Sequence, residues 1–497
     1  MPLIFFNMLW EMGTLGLPNI VTYLEQKGYP SKHVYLTKHE LETPAEIQTI
    51  LAFVEREQPR LVGFSLMSFN FERTRRITLA IKQRFPDLPI VWGGIHPTFD
   101  PQESIQYADF VCVGEGEDAT LELVQAIEAG ADAQHIPNIW SKHAGQVFQN
   151  DVRPLIQNLD DYPFPYINWQ STYVLDEGEI RQLTHTLYRK YVQYTGTMYD
   201  IMASRGCPYA CSYCCNALFR KIYKGKGRYV RYRSVDNLIT ELQYAMHEFP
   251  YINMVNIQDD GFASAPEAFL KEFSEKYKDL IGLPLRLRVI PTMFTDEKAR
   301  YLAEANTLVA ILGIQTSDRI NREKFNRRVS AETVLKVAEI LHRHNIFVQY
   351  DLIVRNPYET EDDLVEVCRI LARIPRPYHL IMYPLALFPN TPLRLQAIAD
   401  GIEVNNRDGI DTPFGNFPNK YPYLLRLQEA SPYTPARLIH FFLDHRREAW
   451  VRGMFNVYYY VFFKGIELAR KLVMKNTRMV GWVKKLLFLP NSFKPAA

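Results

Sequence analysis

Cys207-Pro208-Tyr209-Ala210-Cys211-Ser212-Tyr213-Cys214, preceded by Arg205-Gly206 and followed by Cys215-Asn216, is the stretch around which the chain is organised. Its C-x3-C-x2-C spacing can place three thiolates on one small loop. That set holds three irons of a cubic [4Fe–4S] cluster and leaves the fourth open, and an open iron is a reaction site. Zinc is the alternative at this spacing. A structural zinc site wants four Cys/His ligands, and the fourth would be Cys215, adjacent to Cys214 and poorly placed to share its metal, or a distant histidine. A disulfide pair is a further alternative, and nothing in the chain points to an oxidising compartment.

Outward from the motif, composition sets the bounds. A chain of 497 residues suits two or three domains, each able to bury a full core. With a net charge of +2 and 23% charged residues, bulk charge gives no reason to expect a nucleic-acid partner. Of the 6 cysteines three sit in the motif and Cys112, Cys215 and Cys368 are scattered, which reads as a reduced, cytoplasmic protein. The opening Met1-Pro2-Leu3-Ile4-Phe5-Phe6-Asn7-Met8 lacks a basic flank and is too short for a signal peptide, so a first core strand is expected. Even the apolar C-terminal stretches are broken by Lys and Arg, so no membrane span is expected.

Residues 1 to about 135 alternate short apolar runs (Leu3–Phe6, His33–Leu36, Leu61–Ser65, Ile90–Trp92, Phe110–Val113) with amphipathic helical patterns. The alternation predicts a doubly wound, mostly parallel, Rossmann-like α/β sheet. Ligands of such sheets bind beyond the carboxyl ends of the strands. There stand Ser65-Leu66-Met67-Ser68, Gly93-Gly94-Ile95-His96-Pro97-Thr98 and Gly114-Glu115-Gly116-Glu117, small polar loops that could let a large planar ligand approach the backbone.

Residues 136–197 lose the alternation and carry Pro137, Pro154, Pro163 and Pro165, the mark of an ordered connector. A second alternation fills 198–395, with candidate strands Tyr199–Ala203, Met254–Gln258, Leu285–Val289, Leu308–Gly313, Phe347–Leu352 and Leu380–Tyr383. Six βα units predict a partial (β/α)6 barrel with its active residues at the carboxyl ends of the strands, where the cysteine loop stands. Residues 396–497 are expected to form a helical C-terminal domain that is aromatic and basic. It serves either as a cap on the barrel edge or as an interfacial surface for lipid.

The cysteine spacing, with aromatic Tyr213 directly before the third cysteine, resembles the radical S-adenosylmethionine (SAM) superfamily. The resemblance implies that Cys207, Cys211 and Cys214 ligate the cluster. SAM would chelate the open iron and, on electron transfer, be cleaved to a 5′-deoxyadenosyl radical. It places Asp259 and Asp260, closing the second strand, near the SAM amino group, the alternative being a turn or helix-capping role. In Gly313-Ile314-Gln315-Thr316-Ser317 it offers Gln315 or Ser317 to the ribose or methionine part. Ile353-Val354-Arg355-Asn356-Pro357-Tyr358-Glu359-Thr360 resembles an I-x-G-x-P-x-E-T segment with Arg355 for Gly, and Pro389-Asn390-Thr391 a P-G-T segment with Asn for Gly. That second swap keeps access to a left-handed backbone. Cys215 is either a hydrogen-atom donor or a spectator thiol.

The three strand-end loops upstream resemble the cobalamin-binding domain of the B12-dependent branch of the superfamily. By that resemblance Ser65, Leu66, Met67, Ser68, Gly93, Gly94, His96, Pro97, Thr98, Gly114, Glu115 and Gly116 line the cobalamin site. Leu66 to Phe71 would cover the corrin face, and the Gly-Gly loop with His96 would face the nucleotide tail. The D-x-H-x-x-G lower-ligand motif is missing, since the chain reads Asn7-Met8-Leu9-Trp10-Glu11-Met12-Gly13 after its first strand; histidine ligation of cobalt from that loop is not expected. The implied activity is methylation of an unactivated centre in a small, lipid-like or polycyclic substrate, with flavodoxin or ferredoxin as electron donor. A radical cyclisation or rearrangement, as in the anaerobic porphyrin ring cyclase, is the alternative that keeps both cofactors, and a redox sensor the alternative from another class. A methylthiotransferase is disfavoured because its extra N-terminal cluster cysteines are absent, leaving only Cys112.

Overall fold

The structure is a computed structural model that describes residues 1–8, 15–37, 41–192, 196–404 and 417–465. Two compact units emerge: residues 1–308, 324–327 and 385–416 form the first, and residues 309–323, 328–384 and 417–497 the second. Its cut falls elsewhere than the expected 1–135, 136–197, 198–395 and 396–497, because the first unit contains both the N-terminal sheet and the cysteine loop.

In the first unit the predicted N-terminal strands are β1 (Leu3–Asn7), β2 (Ser31–Tyr35), β3 (Leu61–Ser65), β4 (Ile90–Gly93) and β5 (Phe110–Cys112), all parallel, in the order β5-β4-β3-β1-β2. Every residue of β1 is buried, as a strand covered on both faces requires. Successive side chains feed opposite layers. Ile4, Phe6, Val62, Phe64, Ile90 and Trp92 pack toward the helices Pro44–Glu57 and Phe71–Arg84. Leu3, Phe5, Leu61 and Val91 pack toward the helices Gly16–Gln26 and Glu117–Ala129. At about 1.5–3 kcal/mol for each large side chain, these two layers supply the dominant favourable term for this part of the chain.

The residues read as a connector contribute more to the sheet than proline content suggested. They supply β6 (Ile139–His143) and β7 (Gln146–Phe148) on the β5 edge, and β8 (Thr172–Asp176) and β9 (Glu179–Gln182) on the β2 edge. Each pair is a hairpin with a two-residue turn, Ala144-Gly145 (φ 47° and 82°) and Glu177-Gly178 (φ 50° and 85°). Left-handed pairs of this kind match the twist of the flanking strands. X-Gly between short β-prone runs was the available signal, masked by the prolines around it.

The second alternation forms the parallel strands β10 (Met198–Ile201), β13 (Met254–Ile257) and β14 (Leu285–Val289) of the first unit. Between β10 and β13 lies a small antiparallel pair, β11 (Ser204–Arg205) and β12 (Arg231–Tyr232), that carries the cysteine loop. The second unit holds β15 (Thr307–Gln315), β16 (Phe347–Val354) and β17 (Tyr378–Pro384), again parallel. All six predicted barrel strands therefore exist, three associated with each unit.

Also in the second unit, helices Pro422–Ala430, Ala436–Asp444 and Ala449–Val457 and the wider turn Tyr458–Phe463 pack on the helix Glu361–Arg373. Leu364, Val365 and Cys368 meet Leu427, Ile439, Phe442 and Phe455 there. No described helix is long and apolar enough to cross a membrane. The loop Leu9–Gly13 and the segments Arg470-Lys471 and Trp482–Phe488, which entered the sequence reading, lie outside the described residues.

Candidate functional site

The carboxyl ends of β1, β3 and β4 align, with Asn7 beside Ser65 and Ser65 beside Gly93. The three predicted loops then fasten to one another. Leu66 N–H donates to the Gly93 carbonyl (3.0 Å) and His96 N–H to the Leu66 carbonyl (3.2 Å). Thr98 Oγ1 donates to the Gly94 carbonyl (2.8 Å) and accepts from Gly114 N–H (3.0 Å). Sequence positions 65–68, 93–98 and 114–116 thus form one connected rim.

That rim is closer to its own chain than the sequence implied. At φ +99°, Gly94 leaves room for no Cβ, which would lie 2.8 Å from the Leu66 carbonyl oxygen. A Cβ on Gly114 (φ +85°) would lie 2.1 Å from Tyr223 Oη. The missing side chains of these two glycines make room for neighbouring protein atoms. Glu115 is likewise engaged: its carboxylate accepts from Arg231, and Arg205 stands 3.4 Å away. Burial would raise its pKa, but the two guanidinium groups outweigh that and hold it low.

His96 is fully buried in the short helix Ile95–Phe99 rather than on an open loop. Its Nδ1 lies 3.1 Å from Ser68 Oγ, and burial lowers its pKa to about 4, so the ring is neutral near pH 7. Its Nε2 has no hydrogen-bond partner, the Glu103 carboxylate standing 3.9 Å away, and the buried Nδ2 of Asn70 has none either. Buried polar atoms normally find partners. Two unpaired nitrogens beyond β3 and β4 fit the polar periphery of a large amide-rich cofactor such as cobalamin. Leu66, Ser68 and Pro97 are buried, while Ser65, Met67, Gly93 and Glu115 are half-exposed.

The cysteine loop is pinned from several sides within the same unit. Ser212 N–H donates to Phe325 O (2.9 Å), Ser212 Oγ to Lys324 O (2.5 Å), and Leu393 N–H to Ser212 O (3.0 Å). Tyr213 packs edge-on against Phe325, with 4.6 Å between ring centres. Arg220 Nη1 reaches the Cys207 carbonyl at 3.1 Å. All three motif cysteines are free thiols, Cys207 and Cys211 buried and Cys214 half-buried. Burial pushes Cys207 up to about 12 and Cys211 to about 11, whereas the Cys215 thiol, 3.9 Å from Cys214 Sγ, brings Cys214 down to about 7. Three thiols without disulfide partners thus stand on one pinned loop, the number of donors that a cluster with one open iron takes, although among the described residues their side chains are not drawn together into a metal-binding group.

Asn216, quoted in the sequence only as a flank, joins three parts of this region. Its Nδ2 lies 3.6 Å from Cys214 Sγ and 2.9 Å from Asp260 Oδ2, and its Oδ1 accepts from Tyr229 Oη (2.7 Å). Nothing in one sequence marks such a residue, because its partners are 13 and 44 positions away. The two acids after β13 separate sharply. Asp260 is exposed and faces Asn216, whereas Asp259 is buried and accepts from Ala203 N–H (2.7 Å) and from Ser204 Oγ. Burial raises Asp259 to about 7 against those hydrogen bonds. Asp259 therefore braces the strand ahead of the loop, and Asp260 is the acid open to a ligand.

Gln315 and Ser317 belong to the second unit. Gln315 sits at a bulge at the end of β15 with φ +69°. Ser317 is buried, donating from Oγ to Asp363 (2.6 Å) and accepting from Ile320 N–H (3.3 Å), so its hydroxyl holds a turn in place. Arg355 and Asn390, the two residues standing where glycine was expected, have φ +58° and +56°. Asn390 bears out the expected left-handed conformation.

One further feature escaped the sequence reading. Arg205, two residues before Cys207, pairs with Glu117 at 2.5 Å and lies 3.4 Å from Glu115; Arg231, opposite it across the β11–β12 ladder, binds Glu115 and the Ile156 carbonyl (2.9 Å). Tyr223 Oη accepts from Glu115 N–H at 2.7 Å, and Asn390 Nδ2 donates to Phe99 O at 2.8 Å. The hairpin carrying the cysteines is thereby fastened to the rim beyond the N-terminal sheet.

Comparison with known proteins agrees with this geometry. Residues 4–124 match the B12 binding domain model, and residues 201–371 match the radical SAM superfamily model. The chain is 22% identical over 79% of its length to an uncharacterized methyltransferase of Pyrococcus horikoshii, spanning 80% of that protein. It is 24% identical over 58% of its length to the anaerobic magnesium-protoporphyrin IX monomethyl ester cyclase of Synechocystis, of which it spans only 54%. The structure of TsrM, a radical S-adenosylmethionine methyltransferase from Kitasatospora setae, superposes with a TM-score of 0.64 at 19% identity, covering 80% of this chain and 76% of that one, and so shares its fold. The chain thus carries a B12 binding domain followed by a radical SAM domain.

Proposed function

We propose that this enzyme uses a [4Fe–4S] cluster, SAM and cobalamin to methylate an unactivated carbon or phosphorus centre of a small, apolar molecule. The observation that carries the reading is the fastening of the cysteine hairpin to the strand-end rim by Arg205 and Arg231 through Glu115 and Glu117. Such a joint gives a cluster and a corrin a fixed separation, as chemistry shared between two cofactors requires.

When bound, the cluster supplies the electron that cleaves SAM, and cobalamin supplies the methyl group. The protein's part is to position both. Cys207, Cys211 and Cys214 would hold three irons, and Asn216 would direct an N–H toward the Cys214 sulfur. Hydrogen bonds to cluster sulfurs are among the features that set its potential. Asp260 would receive the SAM amino group. Asn70 and His96 would meet cobalamin amides with the nitrogens that lack protein partners. The likeness to the archaeal methyltransferase supports methyl transfer, while the likeness to the Synechocystis cyclase keeps radical cyclisation as the second reading. Flavodoxin or ferredoxin in a reduced cytoplasm would donate the electron.

The test is anaerobic incubation of the reconstituted protein with SAM and a strong reductant. Release of both 5′-deoxyadenosine and S-adenosylhomocysteine is expected. Deoxyadenosine alone would favour cyclisation or rearrangement. Neither product, with both cofactors bound, would make the protein a sensor.

A further inference from the structure

We propose that the C-terminal helices dock this protein on an anionic lipid surface. Two independent observations carry the inference, one of shape and one of charge. Along the helix Ala449–Val457 and the following turn, Val451, Phe455, Tyr459 and Phe463 are buried against the rest of the second unit. A second apolar stripe runs along the opposite side. Trp450 is 60% exposed, Met454 41%, Val457 62% and Val461 61%, at spacings of four, three and four residues, with Tyr460 (56%) beside them. A surface helix of a globular domain needs one apolar stripe, and a second one lying in water calls for a partner.

Charge identifies that partner. From residue 431 to the end the sequence has twelve Lys and Arg against three Asp and Glu, a surplus of nine positive charges, whereas the chain as a whole carries +2. The preceding 430 residues are therefore net negative by seven. Arg437, Arg447 and Arg452 are exposed close to the stripe in sequence. An exposed indole and aliphatic side chains on one helical side are the features that seat a helix in the headgroup layer, and cations in the neighbouring sequence direct it to anionic lipid. The inference rests on exposure and charge, not on the methyl-transfer reading. Were both correct, a lipid-soluble substrate would be captured where it resides.

The full-length reconstituted protein should co-sediment with vesicles of phosphatidylcholine and phosphatidylglycerol at low salt. Binding should fall by at least about tenfold on vesicles of phosphatidylcholine alone or at high ionic strength. The Trp450→Ser/Val461→Ser variant, altered only at exposed positions, should lose anionic vesicle binding to a similar extent while retaining iron and cobalamin content. An Arg437→Glu/Arg447→Glu variant should lose it without any change in apolar surface. Wild-type protein left in the supernatant with anionic vesicles would overturn the proposal, as would wild-type binding by the Ser variant. A dimer in light scattering that Trp450→Ser converts to monomer, without vesicle binding, would instead assign the stripe to a second copy. Binding that increases on deletion of residues 466–497 would mean that the chain's own tail covers the stripe. Deoxyadenosine formation is measured separately, so either reading can fail alone.

Discussion

The cysteine loop and the strand-end rim are both ligand-binding regions placed at the carboxyl ends of parallel strands, yet they are built in opposite ways. The loop gathers its donors from eight consecutive residues and leaves three thiols free. The rim draws on three distant segments and ties them by internal hydrogen bonds, while among the described buried atoms there Asn70 Nδ2 and His96 Nε2 have no hydrogen-bond partner. A cluster is held by a few strong bonds that short-range spacing can specify. A large cofactor is held by shape, which only the assembled sheet can offer.

The sharpest way to break this contrast is to replace Cys207, Cys211 and Cys214 with Ala. Iron content and deoxyadenosine formation should vanish, while cobalamin binding, followed by absorbance after gel filtration, persists; joint loss would mean that the two regions are not separately built. Next in size is Arg231→Met. The side chain is 1% exposed and its removal leaves Glu115 with Arg205 alone, which is expected to cost about 3 kcal/mol in chemical denaturation, the low end for breaking a buried pair. Because Arg231 fastens hairpin to rim, occupancy of both cofactors should drop together.

Asp259 tests the buried side of the loop through pH. With a folded pKa of about 7 against 3.8, it keeps a proton that the unfolded chain releases. Its contribution is thus most favourable below about pH 4 and is lost as pH rises toward 7. Asp259→Asn should resemble wild type near pH 4. By pH 8 it should gain about 2–3 kcal/mol relative to wild type, below the ~4 kcal/mol that a shift of three units would give, since an amide keeps only part of the hydrogen bonding. Denaturation curves at the two pH values decide it, and a difference independent of pH would refute the account.

Gly94→Ala probes the rim alone: strain at φ +99° and contact with the Leu66 carbonyl should cost about 2 kcal/mol and weaken cobalamin binding, with iron content unchanged. The smallest effect is expected at Arg355. Its φ of +58° is costly for a side chain, so Arg355→Gly should raise thermal stability by about 1 kcal/mol, read as a shift in Tm.

Local pattern made much of this molecule legible. The five N-terminal strands and six barrel strands were visible because buried parallel strands are short apolar runs separated by helical periodicity, and the cysteines because their spacing lies within one loop. What stayed hidden was long in range. Asn216 meets Asp260 across 44 residues, Arg231 meets Glu115 across 116, and β8 joins β2 by pairing Thr172 with His33, a partner far back in the chain.

The sequence by itself pointed to the kind of chemistry, since three cysteines at C-x3-C-x2-C spacing with Tyr213 before the third resemble a cluster loop. It also determined the parallel architecture, since apolar periodicity is a local property. Only the tertiary structure decided which polar groups remain available to ligands. Asp259 and Asp260 carry the same carboxylate in the sequence, yet burial committed Asp259, like Ser317, to the fold and ion pairing committed Glu115, because an unpaired buried polar or charged group costs more than the fold can leave uncompensated.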